Sequence, residues 1–193
     1  MVYPVLYHGP VNYYARLIRE EEIIFEQYDH YTKQTYRNRC RIVGPNGVLT
    51  LSVPVKRKKG TFTYMRDIRL DYDTPWHRVH WRSLEASYAS SPYYEFIRDE
   101  LAPFYEKRFA FLLDLNFKLA EWTLGWLGVS PALKLSSGFT DITEHDPREI
   151  IHPKKSEPLH DPAFRPVPYP QVFSDRMGFQ ANMSNLDLLF NAG

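Results

Sequence analysis

Residues 39–54 read RCRIVGPNGVLTLSVP, and this stretch gives the clearest local prediction of how the chain folds. Two β-prone runs, residues 39–43 and 48–53, flank the turn sequence GPNG at residues 44–47. Glycine and asparagine adopt the backbone angles of tight turns readily, so the pattern predicts a β-hairpin. Pro54 lacks an amide hydrogen and is expected to end the second strand.

The strand that enters this hairpin carries arginine at alternate positions. Because side chains alternate across a β-strand, Arg37, Arg39 and Arg41 are expected to project to one side, with Cys40 on the apolar side. Three guanidinium groups along about 13 Å can clamp a phosphate or carboxylate. A solvated strand face explains the same pattern and is the alternative. In a regular strand Asn38 points away from its arginine neighbours unless a bulge turns it.

The flanking sequence predicts a mixed α/β fold in a single domain, residues 1–193. A small N-terminal β-sheet is expected within residues 1–72, where the hairpin also lies. Helical periodicity dominates residues 73–130, so the sheet and hairpin are expected to pack against a C-terminal helical half. Residues 131–193 are rich in proline and are expected to form an extended tail with a short C-terminal helix.

The composition limits the classes of function. Basic and acidic residues number 24 and 23, so the chain lacks the positive field of a general nucleic-acid binder. Cys40 is the only cysteine, which excludes an internal disulfide and fits a reducing compartment. No apolar run approaches the roughly 20 residues that span a bilayer, and residues 1–9 lack a secretory pattern. We therefore expect a cytoplasmic protein with no nucleic-acid partner, no membrane span and no cofactor.

The helix predicted to begin near Pro75 carries candidate catalytic and binding residues. Trp76, His80 and Tyr88 fall on one helical face, which makes a partly buried His80 a candidate general base. A structural histidine explains the position equally well. His77 and His80 have a spacing that can bring two imidazoles to one metal ion. Since no further ligand follows at a supporting spacing, we expect no metal site.

Three other features have simple structural explanations. Residues 56–59 (KRKK) form a basic stretch that can approach an anion, but a solvated surface loop accounts for them as well. Ser184, with Asp187 three residues later, is typical of a capping arrangement in which both side chains satisfy exposed amides of the last helix. Cys40 is expected to be a small buried thiol rather than a nucleophile.

Several stretches, taken in order, resemble the WbqC-like protein family. The matching pieces are YRNR at 36–39 with the hairpin into LSVPV at 51–55, Trp76 and His80 continuing to Tyr88, SPYY at 91–94, LDLN at 113–116, LGV at 127–129 and SNLDLLF at 184–190. They cover most of residues 3–140 and the C-terminus. After its first strand the family usually has a Gln-Pro and aromatic stretch, whereas this chain has Tyr7-His8-Gly9-Pro10.

The resemblance implies a cytoplasmic role in surface-glycan (O-antigen) assembly. It also implies a transferase that places an amino acid such as glycine, or a related acyl group, on a sugar. We take a nucleotide-sugar or a phosphorylated or acyl donor as the partner, held by the arginine strand with help from residues 56–59. The positions that match the family and can carry chemistry are Arg37, Asn38, Arg39, Trp76, His80, Tyr88 and Asp187. In this hypothesis His80 is catalytic, and Arg37, Asn38, Arg39, Trp76 and Tyr88 bind the substrate.

A second hypothesis belongs to another functional class. A non-catalytic module can bind a sugar or a partner protein through exposed aromatic side chains, and Tyr93, Tyr94 and Tyr105 are the candidates for such a surface. Binding of a nucleotide or acyl carrier favours the enzyme, whereas binding of free glycans alone favours the module. The sequence leaves the oligomeric state open.

Overall fold

The computed structural model describes residues 1–56, 62–153, 161 and 163–193. Over these residues the protein has the mixed α and β structure predicted from the sequence, with small β-sheets and several helices. Lys56 of the basic stretch is described, whereas residues 57–59 lie outside the described residues.

The described residues contain the following elements. The strands are β1 (Val2–Pro4), β2 (Glu22–Glu26), β3 (Arg39–Gly44), β4 (Gly47–Ser52), β5 (Val55–Lys56), β6 (Arg69–Leu70) and β7 (Ala132–Leu135). The helices are α1 (Val11–Leu17), α2 (Trp76–Tyr88), α3 (Tyr94–Leu101), α4 (Pro103–Glu106), α5 (Leu112–Trp126), α6 (Pro147–Ile150), α7 (Ser174–Met177) and α8 (Asn185–Ala192). A 3-10 turn spans Met65–Asp67.

The N-terminal sheet is parallel and has the strand order β1-β2-β7. Its third strand, β7, comes from residues 131–193, the part of the chain predicted to be an extended tail, and this strand was not predicted. Ala132 pairs with Glu22 and Leu135 with Phe25. Most of β7 is exposed, so its sequence carries no clear alternation of apolar and polar residues that would mark it as a strand.

The predicted β-hairpin is confirmed as the antiparallel pair β3–β4. Gly44 lies opposite Gly47, and Gly47 has a φ of 123°, a left-handed conformation that favours glycine. Cys40 is buried and Arg41 half-buried, so the alternation along β3 is also as predicted. Arg37 lies before the strand rather than on its arginine face.

Helix α2 packs its apolar face against the hairpin and the core. Trp76, His80 and Tyr88 are buried as their spacing predicted, and Leu84 is buried with them. Among the described residues, no helix is both long enough and apolar enough to cross a membrane.

The C-terminal helix α8 is anchored to the turn after β1 and to strand β3. The Asn185 amide donates to the Gly9 carbonyl, and the Ser184 amide donates to the Arg41 carbonyl. The Ser184 hydroxyl accepts from the Leu186 amide, which confirms its predicted capping role. Asp187 is buried and accepts side-chain hydrogen bonds from elsewhere in the fold, so the predicted capping role of its carboxylate was wrong.

Candidate functional site

Four buried side chains form a continuous chain of hydrogen bonds, called here the His–Tyr chain. Nδ1 of His80 lies 2.8 Å from the Tyr7 hydroxyl, which lies 3.3 Å from the Tyr105 hydroxyl. The Tyr105 hydroxyl lies 3.0 Å from Nε2 of His8. The chain therefore joins α2, the turn after β1 and α4.

Local structure brings these four side chains together. His8 has a φ of 43°, in the left-handed region that non-glycine residues rarely adopt. A Cβ at the next residue, Gly9, would lie 2.6 Å from the Tyr13 ring, so a glycine is required there. This tight turn directs both Tyr7 and His8 into the core, where the His8 ring stacks on Tyr105 with centroids 6.3 Å apart.

The protonation of the His–Tyr chain follows from its burial. Burial lowers the pKa of His80 to about 4; a hydrogen bond with the Ser52 backbone opposes this shift, and the charge of His77 adds to it. Burial, followed by the charge of His80, lowers the pKa of His8 to about 3. Burial also raises the pKa of Tyr7 and of Tyr105. All four groups are therefore neutral at pH 7, and each can both donate and accept a hydrogen bond.

A cavity of about 570 Å³ lies beside the His–Tyr chain, between α2, α3 and α4. We call it the α2–α4 cavity. Tyr105 contributes to its wall while the hydroxyl of the same residue contacts Tyr7 and His8. The lining residues are His77, Arg78, Trp81, Arg82, Arg98, Asp99, Ala102, Tyr105 and Glu106. Tyr105 thus joins the cavity to the buried chain.

The α2–α4 cavity is rich in arginine. Arg98 forms ion pairs with Glu95 at 3.4 Å and Asp99 at 3.3 Å. Arg78 and Arg82 form no ion pair with any described carboxylate. They lie one helical turn apart, where like charges repel, so a bound anion would stabilise this part of α2.

Arg37, predicted to bind substrate, belongs to a buried ion-pair network. Its Nη2 atom lies 2.5 Å from Asp29, which also lies 3.4 Å from Arg148. Arg148 in turn pairs with Asp146 at 2.6 Å and lies 3.7 Å from Glu26. The network fastens α6 to the N-terminal strands, and it occupies the guanidinium group of Arg37.

Two other predicted substrate-binding side chains make contacts within the fold. The Asn38 amide group donates to the Val53 carbonyl at 2.9 Å. The Tyr88 hydroxyl donates to Asp187 at 2.7 Å and accepts from the Val43 amide at 3.2 Å. Asn38 thus joins the two ends of the hairpin, and Tyr88 holds the hairpin against α8.

Arg39, Trp76 and His80 come closer together. Arg39 lies opposite Ser52 in the hairpin, and the Ser52 backbone is hydrogen bonded to His80. The Trp76 ring packs on His80 with centroids 5.2 Å apart. The hairpin therefore brings Arg39 near the His–Tyr chain, although Arg39 is not among the described residues that line the α2–α4 cavity.

The sequence-based reasoning missed several residues of this site. Tyr105 was predicted to be exposed, as was Tyr94, and both are buried; Tyr93 is exposed. Tyr7 and His8 lie in the stretch where the sequence departs from the usual family pattern, and that departure was one usable signal. The four-residue spacing of Arg78 and Arg82 on a predicted helix was a second usable signal.

The polar groups of the site are imidazole, hydroxyl and guanidinium groups, together with the carboxylates of Asp99 and Glu106. Within residues 1–56, 62–153, 161 and 163–193, no three histidine, cysteine, aspartate or glutamate residues converge as ligands of a metal ion would.

Comparison with known proteins places the chain in a family. The sequence model of the WbqC-like protein family matches residues 7–157, a span that contains the hairpin, the α2–α4 cavity and the His–Tyr chain. This chain belongs to the WbqC-like protein family. The resemblance inferred from the sequence is thereby confirmed.

Another protein resembles this WbqC-like chain over most of its length. The uncharacterized protein Rv1507c of Mycobacterium tuberculosis (strain ATCC 25618 / H37Rv) is 30% identical over 200 residues, which cover 90% of this chain and 84% of that protein. No solved structure matches the chain significantly.

Proposed function

We propose that this WbqC-like protein is a transferase that binds a phosphorylated sugar or nucleotide-sugar in the α2–α4 cavity. Tyr105 carries the proposal because it belongs both to the wall of an arginine-rich cavity and to the buried His–Tyr chain. The cytoplasmic location and the role in surface-glycan assembly implied by the family form part of the same proposal.

The cavity supplies groups suited to an anionic sugar. Arg78 and Arg82 present guanidinium groups that bind phosphate oxygens in a bidentate manner. Trp81 also lines the cavity and offers an apolar surface beside these charges. This combination suits a substrate with a phosphate at one end and a sugar ring at the other.

The reaction is transfer of an acyl or aminoacyl group to a sugar. An acceptor hydroxyl or amine bonds to the acyl carbon, the bond between that carbon and the leaving group breaks, and the acceptor loses a proton that the leaving group gains. Because the Tyr105 hydroxyl stays neutral, it accepts this proton only while it donates its own proton to another hydrogen-bonded group. Hydrogen-bonded groups that both donate and accept can carry out such an exchange without creating a buried charge.

His80 has an indirect part in this proposal. It is buried, is not among the described lining residues, and contacts Tyr7 rather than the cavity. A pKa of about 4 makes it a weak base but keeps it neutral at pH 7. We therefore assign His80 to positioning Tyr7 and Tyr105, and Tyr105 to direct contact with the substrate.

A binding experiment tests the assignment of the cavity. Thermal-shift screening against phosphorylated sugars, nucleotide sugars, coenzyme A and aminoacyl donors identifies a ligand, and calorimetry then measures its Kd. Arg82→Ala should weaken binding at least about tenfold, since one charge-assisted pair is worth roughly 1.5–3 kcal/mol. Arg66→Ala is the matched control, because Arg66 stacks on Tyr28 outside the cavity. Equal affinities of the two variants would contradict the proposal.

A rate measurement tests the role of the His–Tyr chain. Tyr105→Phe keeps the ring in the cavity wall and removes only the hydroxyl. It should leave ligand affinity within about threefold and slow transfer about 100-fold, the lower range of general acid–base contributions. A folded Tyr105→Phe variant that transfers at the wild-type rate would show that the hydroxyl has no chemical role.

A glycan-binding module is the second candidate, because a separate group of aromatic side chains is exposed. Phe62 is 62% exposed, stacks on His30 at 4.4 Å and contacts Tyr64 at 4.9 Å. Exposed aromatic groups of this kind mark interaction surfaces. Binding of free glycans that is lost in Phe62→Ala and retained in Arg82→Ala would favour this module over the transferase.

A further inference from the structure

A second basic depression lies next to the α2–α4 cavity. This cleft of about 500 Å³ is called here the basic cleft, and its charged lining residues are Lys56, Arg69, Arg108 and Asp73. Three cations therefore face one carboxylate. None of the three cations was a candidate in the assignment of the α2–α4 cavity.

The fold places two of these cations directly opposite each other. Lys56 pairs with Arg69 in the register of β5 and β6, and like charges in facing positions destabilise a strand pair. Lys56 is compensated by Asp73 at 3.0 Å and Asp71 at 3.5 Å. Arg69 forms no ion pair with a described carboxylate, so its charge is left for another partner.

Aromatic rings fix the guanidinium groups of the cleft. Arg69 lies over the Phe111 ring at 4.8 Å, and Arg108 lies over the Tyr72 ring at 5.1 Å. Such stacking uses the flat face of the guanidinium and leaves the N–H groups at its edge available. Arg108, like Arg69, has no described carboxylate partner. Two oriented guanidinium groups match the charge and the several oxygens of a diphosphate.

His77 connects the two depressions. It lines the α2–α4 cavity, and its ring packs on Tyr72 of the basic cleft with centroids 5.7 Å apart. Its pKa is lowered by burial and then by the charges of Arg78 and Arg108, one from each depression. Helix α2 begins beside it at Trp76 with no side-chain cap among the described residues and no acid in its first turn. The positive end of the helix dipole therefore adds to the potential at this junction.

We propose that the basic cleft binds the diphosphate group of a diphosphate-linked sugar whose sugar lies in the α2–α4 cavity. The proposal rests on the proposed function and narrows its substrate class. Arg69 and Arg108 hold the diphosphate, and the extended substrate passes His77 to reach Tyr105. A sugar carrying a single phosphate contacts Arg78 and Arg82 but leaves the basic cleft unused.

Calorimetry with two probes, inorganic pyrophosphate and glucose 1-phosphate, tests this division. Arg108→Ala and Arg69→Ala should each weaken pyrophosphate binding at least about tenfold while changing glucose 1-phosphate binding less than about threefold. Arg108→Lys keeps the charge without the bidentate fork and should give an intermediate loss. Arg66→Ala, another arginine stacked on a tyrosine ring, should change neither affinity beyond about twofold.

The outcomes separate the two proposals. If Arg82→Ala weakens the binding of both probes and the basic-cleft variants weaken neither, the diphosphate site is overturned and the proposed function stands. If the basic-cleft variants weaken pyrophosphate binding while Arg82→Ala leaves glucose 1-phosphate binding unchanged, the diphosphate site stands and the assignment of the α2–α4 cavity fails. Failure of wild-type protein to bind pyrophosphate at millimolar concentration also overturns the diphosphate site.

Discussion

Nδ1 of His80 lies 2.8 Å from the hydroxyl oxygen of Tyr7, although 73 residues separate them in the sequence, and both side chains are buried. The contact depends on the turn after β1 and on α2 packing against the hairpin. It fixes one end of the His–Tyr chain, whose other members are Tyr105 and His8. Because the His80 imidazole is buried against the Tyr7 hydroxyl, it affects the free energy of unfolding as well as any reaction at the site.

The two buried histidines make stability depend on pH. Their folded-state pKa values, about 4 for His80 and about 3 for His8, are below the unfolded value near 6.5. The unfolded chain therefore takes up protons first as the pH falls. The free energy of unfolding should fall by about 3 kcal/mol for each histidine between pH 7 and pH 4, which urea denaturation at several pH values measures.

A single substitution shows how much of this pH dependence of stability comes from His80. His80→Asn keeps a hydrogen-bonding group near the position of Nδ1 but does not titrate, so its stability should decline less steeply between pH 6.5 and pH 4. His145→Gln is the control, because the His145 side chain is 74% exposed. A His80→Asn slope equal to that of wild type would mean that His80 is not held neutral by the fold.

Tyr105→Phe should lower stability as well as the transfer rate. The change leaves Nε2 of the buried His8 without its hydroxyl partner, and an unsatisfied buried polar group costs about 1–3 kcal/mol. Tyr93→Phe is the matched control, since Tyr93 is exposed and should change the free energy of unfolding by less than about 0.5 kcal/mol. Similar losses in the two variants would argue against the buried contact.

Tyr88 tests whether a family-matching residue acts in structure rather than in substrate binding. Tyr88→Phe removes a donor from the buried carboxylate of Asp187 and an acceptor from the Val43 amide. Unfolding measurements should show a loss of about 1–3 kcal/mol, and calorimetry should show unchanged affinity for glucose 1-phosphate. A folded variant with wild-type stability and weakened binding would indicate that Tyr88 binds the substrate.

Arg37 and Arg41 should differ in their contribution to stability. Arg37→Ala breaks a buried ion pair and leaves Asp29 with Arg148 as its cationic partner, so a loss of about 3 kcal/mol is expected. Arg41→Ala removes a half-buried arginine with no described ion pair and should cost less than about 1 kcal/mol. Chemical denaturation of both variants makes the comparison, and equal losses would contradict the network assigned to Arg37.

Local patterns predicted several elements of this fold. The hairpin followed from a turn sequence between β-prone runs, and α2 from the helical spacing of Trp76, His80 and Tyr88. Strand β7 was missed because it is short and exposed, and because its partner β2 lies more than 100 residues earlier. Pairing over such a distance leaves no trace in the local sequence.

The candidate site was harder to predict than the fold because its contacts are nonlocal. Periodicity placed His80 in the core but gave no indication that Tyr7 is its partner. The alternation of side chains along the strand predicted that Arg37 and Arg39 share one face. In the structure Arg37 lies before the strand and forms a buried ion pair with Asp29. Tyr105 lies in a four-residue helix, too short to show a buried face by periodicity.

The α2–α4 cavity and the His–Tyr chain are proposed to form one site. Imidazole nitrogen NMR resonances of His8 and His80, recorded during a titration with inorganic phosphate, test it most directly. Both histidines should shift in wild-type protein and shift much less in Arg82→Ala, and the exposed His145 should not shift. Saturation of the cavity by phosphate with no change at His8 or His80 would contradict it.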